Sequence, residues 1–199
     1  AISLPGLYLA ATNFHTQILP TNLILSLSMA REGVPFPGVV EVILLELSFE
    51  LLREAGVRMP GQIGNTIGIV GGLIIGQAAV TANLVSPMVV IVVAMTALSS
   101  FSIPNEELAE ACRLIKYGVI LSSSFWGIAG FVFAWFLLLS HLSRLKSFGI
   151  PYLMPFVSDE INDMTGWKDS VVKLPPWMMK RRPVFAKRGE RIRFRWKEK

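Results

Sequence analysis

The sequence is short of cysteine, histidine and charge, and each shortage narrows what the chain can be. Cys112 is its one cysteine in 199 residues, which rules out an internal disulfide and leaves no cysteine spacing that suggests a metal. His15 and His141 stand far apart with no ligand partners at metal spacing, so no metal is expected. No Ser–His–acid or Cys–His spacing supports a nucleophilic catalyst. The run GIVGG (68–72) lacks the spacing of a dinucleotide loop. No catalytic residue and no cofactor is therefore expected. Charged residues make up 17% of the chain, against about 25% in soluble domains. Charge is missing altogether from Met59 to Asn105 and from Tyr117 to Ser143. One membrane-crossing helix needs roughly 20 apolar residues, so the first gap has room for two and the second for one. Hydrophobic residues reach 52%, and the mean hydropathy is +0.53. The expected fold class is all-α, a polytopic transmembrane helical domain with a short basic C-terminal tail, and not a soluble enzyme.

Proline and glycine punctuate the apolar stretches. Ala1 lies inside an apolar stretch without a basic n-region or cleavage site, as expected of a fragment that starts within a truncated N-terminal span. Leu23 to Ala30 is a short apolar helix, and REGVPFPG (31–38) stops it. Spans are expected at about 39–55, 63–82, 88–103 and 119–141. The second and third would form an antiparallel hairpin around the turn at Asn83 to Pro87. Between the third and fourth, 104–116 reads as an amphipathic helix lying along the membrane interface. Leu108, Ala111, Cys112 and Ile115 would form one face of it, and Glu106, Glu110 and Arg113 another. The membrane domain is set at 1–156 and the tail at 157–199. From Lys173 onward, eleven lysines and arginines against two glutamates give +9, and the remainder, with eight against twelve, gives −4. Such a tail after membrane spans is expected at the cytoplasmic, lipid-facing side and not on nucleic acid. With the tail inside, the loop holding Arg53 and Arg58 falls outside, against the positive-inside tendency.

The strongest chemical signal is the glutamate helix. Glu46, Glu50 and Arg53 fall on one face at spacings of four and three, with Glu41 nearly opposite. Ionisable groups at membrane depth face a cavity or a partner. These residues are thus either an ion path or gating contact, or a Glu–Arg network that locks helices together, or part of a helix lying at the interface. Second comes a glycine row, Gly64, Gly68, Gly72 and Gly76, which permits close helix packing within the chain or between subunits. Gln77, the most central polar side chain of that helix, is the candidate for lining water; Asn65, Thr66 and Thr81 are expected to bond to neighbouring helices. Trp167, Trp177 and Trp196 can anchor the tail at the headgroups.

Six strings carry a family resemblance: REGVPFP (31–37), FELLREAGVR (49–58), IGIVGGLIIGQAAV (67–80), LVSPMVVIVVAMTALSSF (84–101), SFGIPYLMPF (147–156) and PPWMMKRRP (175–183). Together the chain resembles the C-terminal membrane domain of the A subunit of GerA-type spore germinant receptors. A related stage V sporulation protein, AF, shares this domain. The resemblance implies residence in the inner membrane of bacterial endospores. It implies partnership with a transporter-like B subunit that senses nutrients and with a C lipoprotein. It also implies homo-oligomerisation into an ion channel whose opening begins germination. Family A subunits carry a large soluble region ahead of the membrane domain, and its absence here agrees with the fragment expectation. No catalytic residues carry over. Glu32, Glu41, Glu50, Arg53 and Gln77 lie in the matching strings or beside them, and their proposed roles come from membrane physics. A secondary transporter and a non-conducting scaffold of the receptor complex are the alternatives.

Overall fold

A computed structural model describes residues 1–57, 62–148 and 150–153. The expected basic tail, 157–199, lies outside the described residues, as do its tryptophans. The chain divides into two compact units, Ala1–Phe136 and Leu137–Lys199.

The first unit is all-helical. Helix α1 (Ser3–Asn13) carries Pro5 in its first turn, where a missing N–H costs nothing. A 3-10 turn (Thr16–Ile18) and Pro20 lead into α2 (Thr21–Ala30). The two prolines of the 31–38 turn stop α2, and α3 (Gly38–Val57) starts directly after Pro37, whose carbonyl accepts the N–H groups of Val40 and Glu41. Helix α4 (Gln62–Thr81) ends in a Schellman motif. Asn83 adopts φ 53°, Leu84 N–H donates to the Ala79 carbonyl at 2.9 Å, and Asn83 N–H donates to that of Val80 at 3.0 Å. The chain then turns back into α5 (Pro87–Phe101), with Pro87 at its start, where proline is favoured.

Helix α6 (Glu106–Arg144) is capped by Asn105, whose Oδ1 accepts the Leu108 N–H at 3.2 Å. The interfacial segment and the last span expected from the sequence are here one helix, interrupted elsewhere: Gly127 sits at φ 60°, ψ −137° and breaks it. By length and composition α6 is the one helix among the described residues that is long and apolar enough to cross a membrane. Helix α5 has 15 residues, about 22 Å at 1.5 Å per residue. That is shorter than the expected 88–103 span and than a hydrocarbon core of about 30 Å.

Leu9, Val42, Leu45, Ala79, Val85, Val89, Val93 and Ile120 form the core. Large apolar side chains also point outward on every major helix, among them Met29, Leu51, Leu73, Leu98, Leu114, Phe125 and Trp126.

In the second unit, α6 runs out to Arg144, and two short strands follow, β1 (Lys146–Ser147) and β2 (Ile150–Pro151). They pair antiparallel, Lys146 opposite Pro151 and Ser147 opposite Ile150. Tyr152 N–H closes the loop on the Leu145 carbonyl at 2.8 Å.

Candidate functional site: an interhelical charge ladder

Of the sequence candidates, Glu41, Glu46, Glu50 and Arg53 lie on α3, and the structure separates them into two groups. Glu46, Glu50 and Arg53 share the face predicted from their spacing. Helix α6 answers them with its own cations, running antiparallel. Lys116 Nζ donates to Glu46 Oε2 at 2.5 Å, and Arg113 pairs with Glu50. Arg113 also reaches Glu110 one turn away, at 3.6 Å.

The ladder grades from a dry end to a wet one. The side chains of Glu46 and Lys116 are 2% and 7% exposed, those of Glu50 and Arg113 30% and 16%. Arg53 turns instead to the end of α5. It donates to Ser100 Oγ and to the Ala97 carbonyl, and its guanidinium lies 4.8 Å from the centre of the Phe101 ring. At the dry end Glu46 Oε1 and the Tyr117 hydroxyl are buried without a hydrogen-bond partner among the described residues. Buried polar groups are seldom left so, which marks this end as a polar strip inside an apolar bundle.

Glu41 belongs to a separate tie. Fully buried, it accepts from Arg31 Nη2 on Oε1 at 3.2 Å and from the Ser86 backbone N–H on Oε2 at 2.7 Å. One carboxylate thus joins the 31–38 turn, the start of α3 and the start of α5. The negative charge at Ser86 also sits at the positive end of the α5 dipole. The Arg31 guanidinium lies over Gly38, 2.6 Å from where a β-carbon would be, so a larger residue there would push the arginine head aside and disturb its pairing with Glu41.

The glycine row on α4 turns inward in its second half. The position of an added β-carbon meets the Phe49 ring of α3 at Gly72 and Val90 of α5, at 3.2 Å, at Gly76. Gly71, outside the four-residue period, meets Leu52 at 3.0 Å. Gly68 has open space within 4 Å. Gly64 lies in α4, with its surroundings outside the described residues. Gln77 is exposed on the opposite side, in a shallow groove of about 810 Å³ lined by Leu73, Ile74, Gln77, Ala78, Thr81 and Ala82. Glu32 is exposed in the turn after α2.

The spacing argument did not single out Arg31, Lys116 or Ser86. A readable signal did exist for one of them. Lys116 and Arg113 are three apart in α6 and opposite in charge to Glu46 and Glu50, four apart in α3.

The family model for the Bacillus/Clostridium GerA spore germination protein matches residues 1–185. The chain belongs to the GerA family. This GerA-family chain is 44% identical over 95% of its length to the uncharacterized membrane protein YfkQ of Bacillus subtilis. It is 43% identical over 98% of its length to spore germination protein B1 of that organism, and 42% over 95% to its spore germination protein KA. It spans 36%, 40% and 34% of those three relatives, so it corresponds to little more than a third of a GerA protein of that size. No solved structure matches it.

Proposed function

We propose that this chain is the membrane-embedded part of a nutrient-germinant receptor A subunit in the spore inner membrane. It acts there without enzymatic chemistry and in company with receptor B and C subunits. Copies assemble side by side, and their shared axis conducts ions. Support for the membrane placement comes from the outward apolar surface of α2 to α6, and support for the germination role from relatives named as spore germination proteins.

The observation that carries the conduction reading is the outward face of α4. Gln77 and Thr81 stand there in an otherwise apolar groove. The Thr81 hydroxyl is turned back on the Gln77 carbonyl at 2.8 Å, and the Gln77 amide makes no hydrogen bond among the described residues. An amide in hydrocarbon needs a polar neighbour, which copies around a water-filled axis supply. The glycine face of α4 is already occupied by α3 and α5, which leaves the Gln77 face for assembly. Of the acids, Glu41 and Glu46 are buried inside the bundle, whereas Glu50, paired with Arg113 at the wetter rung and 30% exposed, can present charge to a passing cation when that pair opens. Nutrient binding on a partner subunit shifts the population toward an arrangement in which α3 and α4 have moved relative to each other.

The test is reconstitution of the full-length subunit with Gln77→Leu and with Glu50→Gln. We expect lower conductance from the first and weaker cation preference from the second. Unchanged conductance and selectivity in both would remove the proposal. The broken α6 favours one rival, a secondary transporter, since interrupted helices are its mark. Substrate-dependent flux that saturates, without unitary current steps, would select it.

A further inference from the structure

The break in α6 falls in a stretch rich in serine and glycine. Sharp kinks usually trace to proline, to Gly/Ser pairs or to an inserted group, and SSSFWGIAGFVF (122–133) contains no proline but brings three serines close to two glycines. Every residue of α6 but Gly127 is helical, and Gly127 takes a positive φ with an extended ψ, a region open in practice to glycine alone. Gly130 comes up against the Ser122 carbonyl, so the two arms bend sharply at this point. The bend lies within a long uncharged stretch of the chain, and at membrane depth water cannot replace lost backbone hydrogen bonds. It must therefore be held by packing.

The packing comes from α1. Phe14, the residue that ends α1, places its Cβ and Cγ 2.9 Å from the position of a β-carbon on Gly127. One and two turns ahead of the break, Gly6 comes up against Ser123 and Val119. Two serines soften the arm before the bend: Ser122 Oγ donates to the Gly118 carbonyl at 2.8 Å and Ser124 Oγ to that of Ile120 at 2.7 Å.

We propose that Gly127 is a hinge at which α6 passes between this bent form and a continuous helix, and that α1 sets the balance by seating Phe14 in the bend. Glycine accepts both conformations, and the bent form is held as a discrete packed arrangement by the Phe14 contact, as a two-state element requires of each of its states. A displacement of α1 along α6 withdraws the wedge, and the helix closes its backbone bonds across residue 127. The proposal rests on the membrane placement above but not on conduction, and its readout is a distance.

The experiment uses the full-length subunit in lipid, in a Cys112→Ala background freed of other cysteines, with spin labels at the exposed positions Leu114 and Phe136. A continuous helix holds these 22 positions apart, at about 33 Å, and the bent form holds them closer. Wild type should give the shorter distance. Phe14→Ala should raise the fraction near 33 Å at least several-fold, and Phe14→Leu, which keeps bulk at the bend, should restore the short distance. Gly127→Ala should give the long distance alone; if that variant does not fold, the two Phe14 variants decide. A wild type already near 33 Å, or a Phe14→Ala protein that keeps the short distance undiminished, overturns the hinge. Either outcome leaves a current measured in the same preparation standing on its own.

Discussion

Replacing Lys116 with methionine takes away the direct partner of a buried carboxylate. Glu46 Oε1 has no partner among the described residues, and Oε2 has only Lys116, at 2.5 Å. At 2% exposure, water does not reach the carboxylate. Removing one member of a buried ion pair costs about 3–5 kcal/mol in proteins generally. Lipid moderates such figures. Interhelical hydrogen bonds in membranes average about 0.6 kcal/mol and reach about 1.7, because the dissociated helices find other partners. A full charge on each side places this pair above that range, so we expect Lys116→Met to cost about 3 kcal/mol. Glu46→Gln, which strands the ammonium instead, should cost a similar amount. The double variant Glu46→Gln/Lys116→Met carries no charge and should fall within about 1 kcal/mol of wild type, a coupling energy of several kcal/mol in a double-mutant cycle. The same cycle on the outer rung, Glu50 with Arg113, should give about 1 kcal/mol or less, since both side chains reach solvent. The assay is denaturant unfolding of the purified full-length subunit in mixed micelles. Additive single losses at the inner rung, or a stronger coupling at the outer one, would refute the graded ladder.

Two further outcomes follow from the packing. Gly72→Ala drives a methyl group into the Phe49 ring and should cost about 1–3 kcal/mol of stability, whereas Gly68→Ala, into open space, should be neutral or gain up to about 1 kcal/mol by helix propensity; thermal unfolding of the pair decides, and equal losses would contradict the inward turn of the row. Glu41→Ala unpairs Arg31 and leaves the Ser86 N–H buried without an acceptor, so a loss of about 2–4 kcal/mol is expected, with Glu41→Gln, which can still accept from Ser86, losing less; hydrogen exchange at the start of α5 should rise with the first substitution and little with the second.

How much of this was legible in the sequence differs by feature. Proline and glycine punctuation predicted helices at 39–55 and 63–82, and the structure has them at Gly38–Val57 and Gln62–Thr81, since backbone chemistry acts locally. Periodicity likewise put Glu46, Glu50 and Arg53 on one face. It could not say what that face meets. The segment 104–116 has the amphipathic pattern of a surface helix, and Arg113 looked like a solvent contact. Its cation instead faces α3, because a charge placed within an apolar bundle is cheapest beside its opposite. Gly127 shows the other limit. An isolated glycine in an apolar run is compatible with an unbroken helix, and the break depends on Phe14, a residue 113 positions earlier. Such long-range packing leaves no local trace.

The Glu41 tie has a mechanical meaning. Its carboxylate and the amide it holds are 45 positions apart, and the guanidinium on its other oxygen belongs to the turn that enters α3. A pull on that turn is therefore felt at the head of the α4–α5 hairpin without travelling through either helix. The carboxylate serves as a rigid linkage, and the hairpin and the entry turn move as one piece or not at all.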